Sequence, residues 1–243
     1  MIERQIDIPT ADGAMTTFIC HPERGGPHPA VIFYMDAPGI REELRDMGRR
    51  LATSGYCVLL PNLYYRAGEM ELGPLTPDPE TRKRMFALME SLTIPKIMRD
   101  TAALLDFTAG DGAASAGPMG AVGYCMSGQY AISAAARFPK RFAAAASIYG
   151  VRLVTDQADS PHLVSAKIKG EIYVGCAETD HWAPMEMVEA LKAHLKTNGA
   201  KAEVEVYPGV EHGFAFPQRA VYDKAAAERH WERLHALFRR RLG

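Results

Sequence analysis

The chain has 243 residues and a formal net charge of −1, with 28 Lys and Arg offset by 29 Asp and Glu. The basic residues are dispersed, which argues against a nucleic-acid footprint or a polybasic membrane surface, and no apolar run approaches the ~20 residues of a bilayer span. The start, MIERQIDIPTADG, lacks the basic head and apolar core of a signal peptide, so a cytoplasmic, soluble protein is expected, as monomer or homodimer. The length allows one large domain, and nothing in it forces a split.

In chain order, the runs IERQIDI and AMTTFIC flank Ala11-Asp12-Gly13-Ala14 and read as an antiparallel hairpin. PAVIFYM (29–35) reads as a buried strand. Ile40, Leu44, Met47 and Leu51 mark a helix over 40–54 that Gly55 stops, and YCVLLP is the next strand, completing a β-α-β unit. Residues 66–80, with Gly68, Gly73, Pro74, Pro77 and Pro79, read as a loop. Asp78 and Pro79 cap and open a helix ending near Leu92, and Pro95 opens another that runs to about Phe107. The stretch 66–95 is either an insertion covering a pocket or an ordinary surface connection.

PMGAVGY then stops where the helical pattern SGQYAISAAARF begins. FAAAASIYG, EIYVGCA and AEVEVY come next as strands, with a helix from Pro184 to about Asn198 between the last two, and a final helix covers roughly 218–240. Its basic end, Arg239-Arg240-Arg241, suits a solvated helix C-terminus. Alternation of this kind predicts an α/β fold whose mostly parallel sheet of about eight strands is covered by helices on both faces.

The junction Gly123-Tyr124-Cys125-Met126-Ser127-Gly128 places a thiol on a strand-to-helix turn, the layout of a nucleophile elbow. Cys125 takes the nucleophile position, and small Ser127 takes that of the second glycine. An acid and a base must then come at later strand ends. Asp180 lies beyond EIYVGCA in the loop ETDHWAP, and His212 lies beyond AEVEVY in PGVEHGF. The chain order nucleophile, acid, histidine is that of an α/β-hydrolase. Glu178 and Glu211 are rival acids, with position favouring Asp180. His181 reads as a loop or pocket-rim residue. His230 and His235, five apart, do not share a helix face, and no metal or cofactor is implied. Cys20, Cys57 and Cys176 lie in apolar runs and read as packed, reduced thiols.

At the elbow and the two loops the chain resembles the dienelactone hydrolase family of α/β-hydrolases, which includes carboxymethylenebutenolidase. The resemblance extends from about residue 28 to the end, through Pro61-Asn62-Leu63-Tyr64 with Arg66 and through Tyr149-Gly150. It implies a hydrolase of a small ester or lactone, acting through a thioester on Cys125 with His212 as base and Asp180 orienting it. It also implies an oxyanion hole from the N–H groups of Ala37 and Met126. Asp36 matches a family glutamate that activates the thiol, one methylene shorter; alternatively it caps the 40–54 helix or the Pro38-Gly39 turn.

For the lactone hydrolases of the family the product is a maleylacetate-type oxo acid, and an arginine four residues after the histidine holds the substrate carboxylate. Here Phe216 stands at that position, and Gly213 replaces the usual serine. Arg82 and Arg84 fall near a second family arginine. Tyr64, Tyr65, Tyr149, Phe214 and Phe216 suggest a more apolar substrate pocket. Two other classes stay open: a non-catalytic relative that binds a small ligand, and a redox-responsive thiol protein built on Cys125.

Overall fold

The computed structural model describes residues 1–73 and 78–243. Pro74 and Pro77 of the expected loop therefore lie outside the described residues. The alternating runs at the start do form a hairpin: β1 (Ile2–Thr10) and β2 (Gly13–His21) pair antiparallel along their whole length. Gly13, at a φ of 133°, accepts the turn conformation that a side chain would resist. β2 then joins the main sheet by pairing antiparallel with β4 (Cys57–Pro61).

From β3 (Ala30–Tyr34) onward the remaining strands are parallel: β4, β5 (Met119–Tyr124), β6 (Phe142–Ile148), β7 (Glu171–Thr179) and β8 (Ala202–Glu211). The sheet has eight strands in the order β1-β2-β4-β3-β5-β6-β7-β8. β3, β4 and β5 are buried at every residue, which is why their sequences read as continuous apolar runs rather than alternating ones. Helices α1 (Glu42–Ala52), α2 (Pro79–Ser91), α3 (Ile94–Gly110), α4 (Gly128–Arg137), α5 (Pro161–Val164), α6 (Met185–Thr197) and α7 (Lys224–Leu242) connect the strands or succeed them. This is the α/β-hydrolase architecture.

Parallel strands bring their carboxyl ends to one rim, and connecting loops there carry Asp36, Asn62, Cys125, Tyr149, Asp180 and His212. Two elements depart from the sequence expectation in a way that matters for the site. β8 continues past the expected Tyr207 to Glu211, so His212 comes directly after the strand. The last helix starts at Lys224 rather than near 218, because Asp223 accepts the Ala226 N–H and caps it there. Residues 213–222 are left as a chain of tight turns beside His212. The short α5 has no counterpart in the sequence expectation. No described helix is long and apolar enough to cross a membrane.

Candidate active site

Cys125 has a φ of 54°, in the left-handed region where a non-glycine residue is strained by roughly 1–2 kcal/mol. The strain is held by close packing that only glycine permits. A Cβ on Gly123 would sit 2.1 Å from the Ser127 carbonyl oxygen, and one on Gly128 would sit 2.3 Å from the Ser147 hydroxyl and 2.5 Å from the Gly150 Cα. Gly128, rather than Ser127, is thus the second glycine that the elbow requires. Ser127 is fully buried, and its hydroxyl donates to the Met35 carbonyl at 2.5 Å, fastening the elbow to the end of β3. The Val151 N–H donates to the Cys125 carbonyl at 3.1 Å, fastening it to the loop after β6.

Asp180 and His212 come from adjacent strands, and the His212 Nδ1 donates to Asp180 Oδ2 at 2.7 Å. The other carboxylate oxygen, Oδ1, accepts the N–H groups of Trp182 and Ala183 at 2.9 and 3.0 Å, so the acid is fixed by its own turn. The rival acids are elsewhere: Glu178 accepts the Gly209 N–H and, like Glu211, is exposed. Burial drives the His212 imidazolium toward losing its proton. The charge of a Cys125 thiolate and the Asp180 carboxylate outweigh that effect and raise its pKa to about 9. Nε2 is buried and, among the described residues, has no partner in full hydrogen-bonding geometry, yet the Cys125 sulfur is near enough to raise the pKa of the ring both by its charge and as a hydrogen-bond acceptor.

Cys125 and His212 line one cavity of about 130 Å³, together with Ala37 and Pro38 from the loop after β3. A larger groove of about 770 Å³ between α3 and α4 holds none of these groups. The N–H groups of Ala37 and Met126 donate to no described residue, and Met126 opens the turn into α4, where first-turn donors lack intrahelical acceptors. Among the described residues no cluster of three or more His, Cys, Asp or Glu side chains could hold a metal ion. Cys20, Cys57 and Cys176 are buried with pKa values pushed up to about 12 by desolvation, as expected of packed thiols.

Several side chains singled out in the sequence take other roles. Asp36 is fully buried, and Arg41 grips both its oxygens at 2.6 and 3.2 Å while Arg219 reaches Oδ2 at 2.8 Å. Its carboxylate is occupied by guanidinium groups and makes no hydrogen bond to Cys125. Its carbonyl also accepts the Gly39 N–H, so the turn-capping alternative describes part of what it does. Tyr64 does not line the cavity. Its hydroxyl donates to the Ala37 carbonyl at 2.9 Å and lies 3.4 Å from the Met126 sulfur, bracing both expected oxyanion residues from behind.

Tyr65 points away from the site, to Thr10 and Asp100 at 2.7 and 2.9 Å, where Arg66 also binds Asp100 and ties the hairpin to α3. Tyr149 and Phe216 are buried beneath the site: the Tyr149 ring packs 4.9 Å from the His212 ring and 6.0 Å from Phe216, with Phe214 against its other edge. None of these aromatics contacts the cavity, because the sheet core claims them. Arg84 pairs with Glu69, and neither Arg82 nor Arg84 reaches the cavity.

Arg219 does reach it, and sequence spacing carries no sign of that. It sits seven residues after His212, in the turns that precede α7, with its guanidinium 5.1 Å above the Phe216 ring. Gly213 makes room: at a φ of 97°, its added Cβ would lie 2.9 Å from the Arg219 Cδ. The glycine in place of the usual serine was the one available signal.

Residues 15–242 match the model of the dienelactone hydrolase family. A "putative carboxymethylenebutenolidase" of Azospirillum brasilense is 31% identical over 242 residues, covering 98% of this chain and 99% of its own length. A protein of the same description from Methylorubrum extorquens is 28% identical over 243 residues, covering 98% and 81%. A crystal structure described as a "putative dienelactone hydrolase" from Klebsiella pneumoniae superposes with a TM-score of 0.86 at 26% identity, covering 98% of both chains. With the elbow, the strand order and these likenesses in agreement, the chain belongs to the dienelactone hydrolase family, carboxylic ester hydrolases acting on small esters or lactones.

Proposed function

We propose that Cys125, His212 and Asp180 form a catalytic triad that cleaves its ester through a thioester. The observation that carries this reading is the 2.7 Å bond from His212 Nδ1 to Asp180, which leaves Nε2 for the strained thiol that lines the same cavity and raises the pKa of the ring. The Cys125 proton is held on His212 Nε2, whose raised pKa favours keeping it beside the thiolate, and the sulfur attacks the carbonyl carbon. Charge that develops on the carbonyl oxygen is met by the Ala37 and Met126 N–H groups. The tetrahedral adduct expels the alcohol, which receives its proton from His212, and the acyl group remains on sulfur. Water then attacks the thioester with His212 as general base, releasing the acid and restoring the thiol. Asp180 holds the ring tautomer and stabilises the imidazolium formed in each half-reaction. Asp36, already bound to Arg41, takes no proton in this scheme.

Arg219, paired with Asp36 through Nη2, lines the cavity with a guanidinium whose Nε has no hydrogen-bond partner among the described residues, a donor for the carboxylate of a dienelactone-type substrate. The test is to assay aryl esters, thioesters and dienelactone with the native enzyme and with Cys125→Ala. Turnover is expected to vanish in Cys125→Ala, and mass spectrometry of the native enzyme with a slow ester should show an acyl group on Cys125. Undiminished turnover by Cys125→Ala would remove the nucleophile from this scheme. Reaction with uncharged esters alone would leave the hydrolase reading in place and remove dienelactone as its substrate.

A further inference from the structure

Helix α2 is anchored unlike the other long helices, having no fully buried residue. Thr81, Met85 and Met89 recur at four-residue spacing with Phe86 alongside, so one face of the helix carries its large apolar side chains, and these four line the cavity above Cys125. The opposite face is exposed Glu80, Arg84, Ala87 and Ser91. Its outer attachments include the surface pairs Arg84–Glu69 and Arg152–Glu90, a kind of contact that contributes little. An apolar helical face normally finds its partner in the protein core. This one rests Met85 and Met89 against the edge of the core and also presents them, with Phe86, to the cavity.

The wall continues onto the loop that holds the catalytic acid. The Phe86 ring lies 5.8 Å from that of Trp182, whose N–H is bonded to Asp180 at 2.9 Å. Trp182 is 50% exposed, an unusual position for so large an apolar group. The cavity volume, about 130 Å³, is close to that of an apolar cavity of about 150 Å³ that accepts benzene. Methionines add adaptable, polarizable contacts to such a wall and favour aromatic neighbours.

Building on the triad reading, we infer that Met85, Phe86, Met89 and Trp182 form a specificity wall that selects esters bearing an uncharged apolar group of about one ring in size. That group would cover the part of the α2 face that the core leaves open to the cavity. The wall lines the same cavity as Cys125 and His212, so an ester can place its carbonyl at Cys125 and its ring against Phe86 together.

The experiment compares ethyl acetate, ethyl phenylacetate and benzyl acetate, the last two adding one ring on the acyl or the alcohol side. For the native enzyme, kcat/KM for at least one ring-bearing ester should exceed that for ethyl acetate by about tenfold or more, as differential burial of several carbons predicts. Phe86→Ala should reduce that ratio at least about fivefold, and Phe86→Leu, which keeps apolar volume, should hold it within about threefold. Glu80→Gln, on the exposed opposite face, should keep the native ratio. Met89→Ser serves as a second wall variant if Phe86→Ala does not fold. A native ratio near one, or a ratio that survives both wall variants, overturns the wall while leaving the triad intact. No turnover of any ester and no acylation of Cys125 would instead defeat the triad reading, and the wall with it.

Discussion

Arg219 Nη2 lies 2.8 Å from Asp36 Oδ2, joining the loop after β3 to the turns after β8 directly beneath the cavity. Arg41 completes this arrangement and also binds Glu43, so two guanidinium and two carboxylate groups neutralise each other in a largely buried cluster. Asp36 therefore serves the architecture of the site. Asp36→Asn leaves two guanidinium groups short of one negative partner, and is expected to cost about 3–5 kcal/mol of stability. Urea denaturation measures this; a loss of activity at unchanged stability would instead point to a role for Asp36 in the chemistry.

The raised pKa of His212 makes a pH prediction. The ordinary value is 6.5 and the folded value about 9, so the folded chain holds this proton more tightly than the unfolded chain. The stabilisation is complete below about pH 6.5 and is lost as pH rises through about 9. An NMR titration of the ring should give a midpoint near 9, and Cys125→Ala should lower it by removing the thiolate. A midpoint insensitive to Cys125→Ala would mean that thiol and imidazole do not interact.

Tyr64 should matter for rate without touching substrate. Tyr64→Phe removes the hydrogen bond to the Ala37 carbonyl, worth about 1 kcal/mol, and loosens the peptide that follows the Ala37 N–H. We expect kcat to fall about tenfold with KM little changed, since oxyanion stabilisation acts in the transition state. A change confined to KM would place Tyr64 in ground-state binding instead.

The elbow has little tolerance at Gly123, where a methyl group would meet the Ser127 carbonyl oxygen at 2.1 Å. Gly123→Ala must shift the backbone that holds Cys125 at its positive φ, and a displacement of this kind costs about a hundredfold in rate. Steady-state kinetics on a folded sample would check it. Full activity would show that the elbow can relax without losing alignment.

His230, from α7, packs in the core with its ring nitrogen 3.0 Å from the hydroxyl of Tyr124, the residue before Cys125. Burial lowers its pKa to about 3, so the folded chain keeps it neutral where the unfolded chain takes up a proton below about 6.5. Stability should thus decline as pH falls from about 6.5 toward 3, by up to about 1.4 kcal/mol per pH unit from this group. His230→Gln should flatten that acid limb in denaturation experiments. An unchanged slope would assign acid sensitivity to other groups.

Cys125, Asp180 and His212 were legible in the sequence because each comes just after an apolar strand, and parallel strands gather the loops at their carboxyl ends along one rim. The aromatics were not. Tyr65, Tyr149 and Phe216 have the same local signature whether they face a ligand or a core, and only the packing of β6, β8 and α3 around them decides it. Arg219 was hidden for a related reason: its approach depends on where α7 begins and on the space at Gly213, neither of which hydrophobic spacing encodes.

By itself, the amino-acid sequence determined the strand and helix alternation, the elbow and the order of the reactive residues along the chain, since these arise from local patterning. Tertiary structure alone decided which groups meet: that Asp36 answers to Arg41 and Arg219, that Tyr64 braces the Ala37 loop, and that the apolar face of α2 overlooks Cys125. Those partners are drawn together by the closing of the sheet and its covering helices, across separations of up to 183 residues that no local pattern spans.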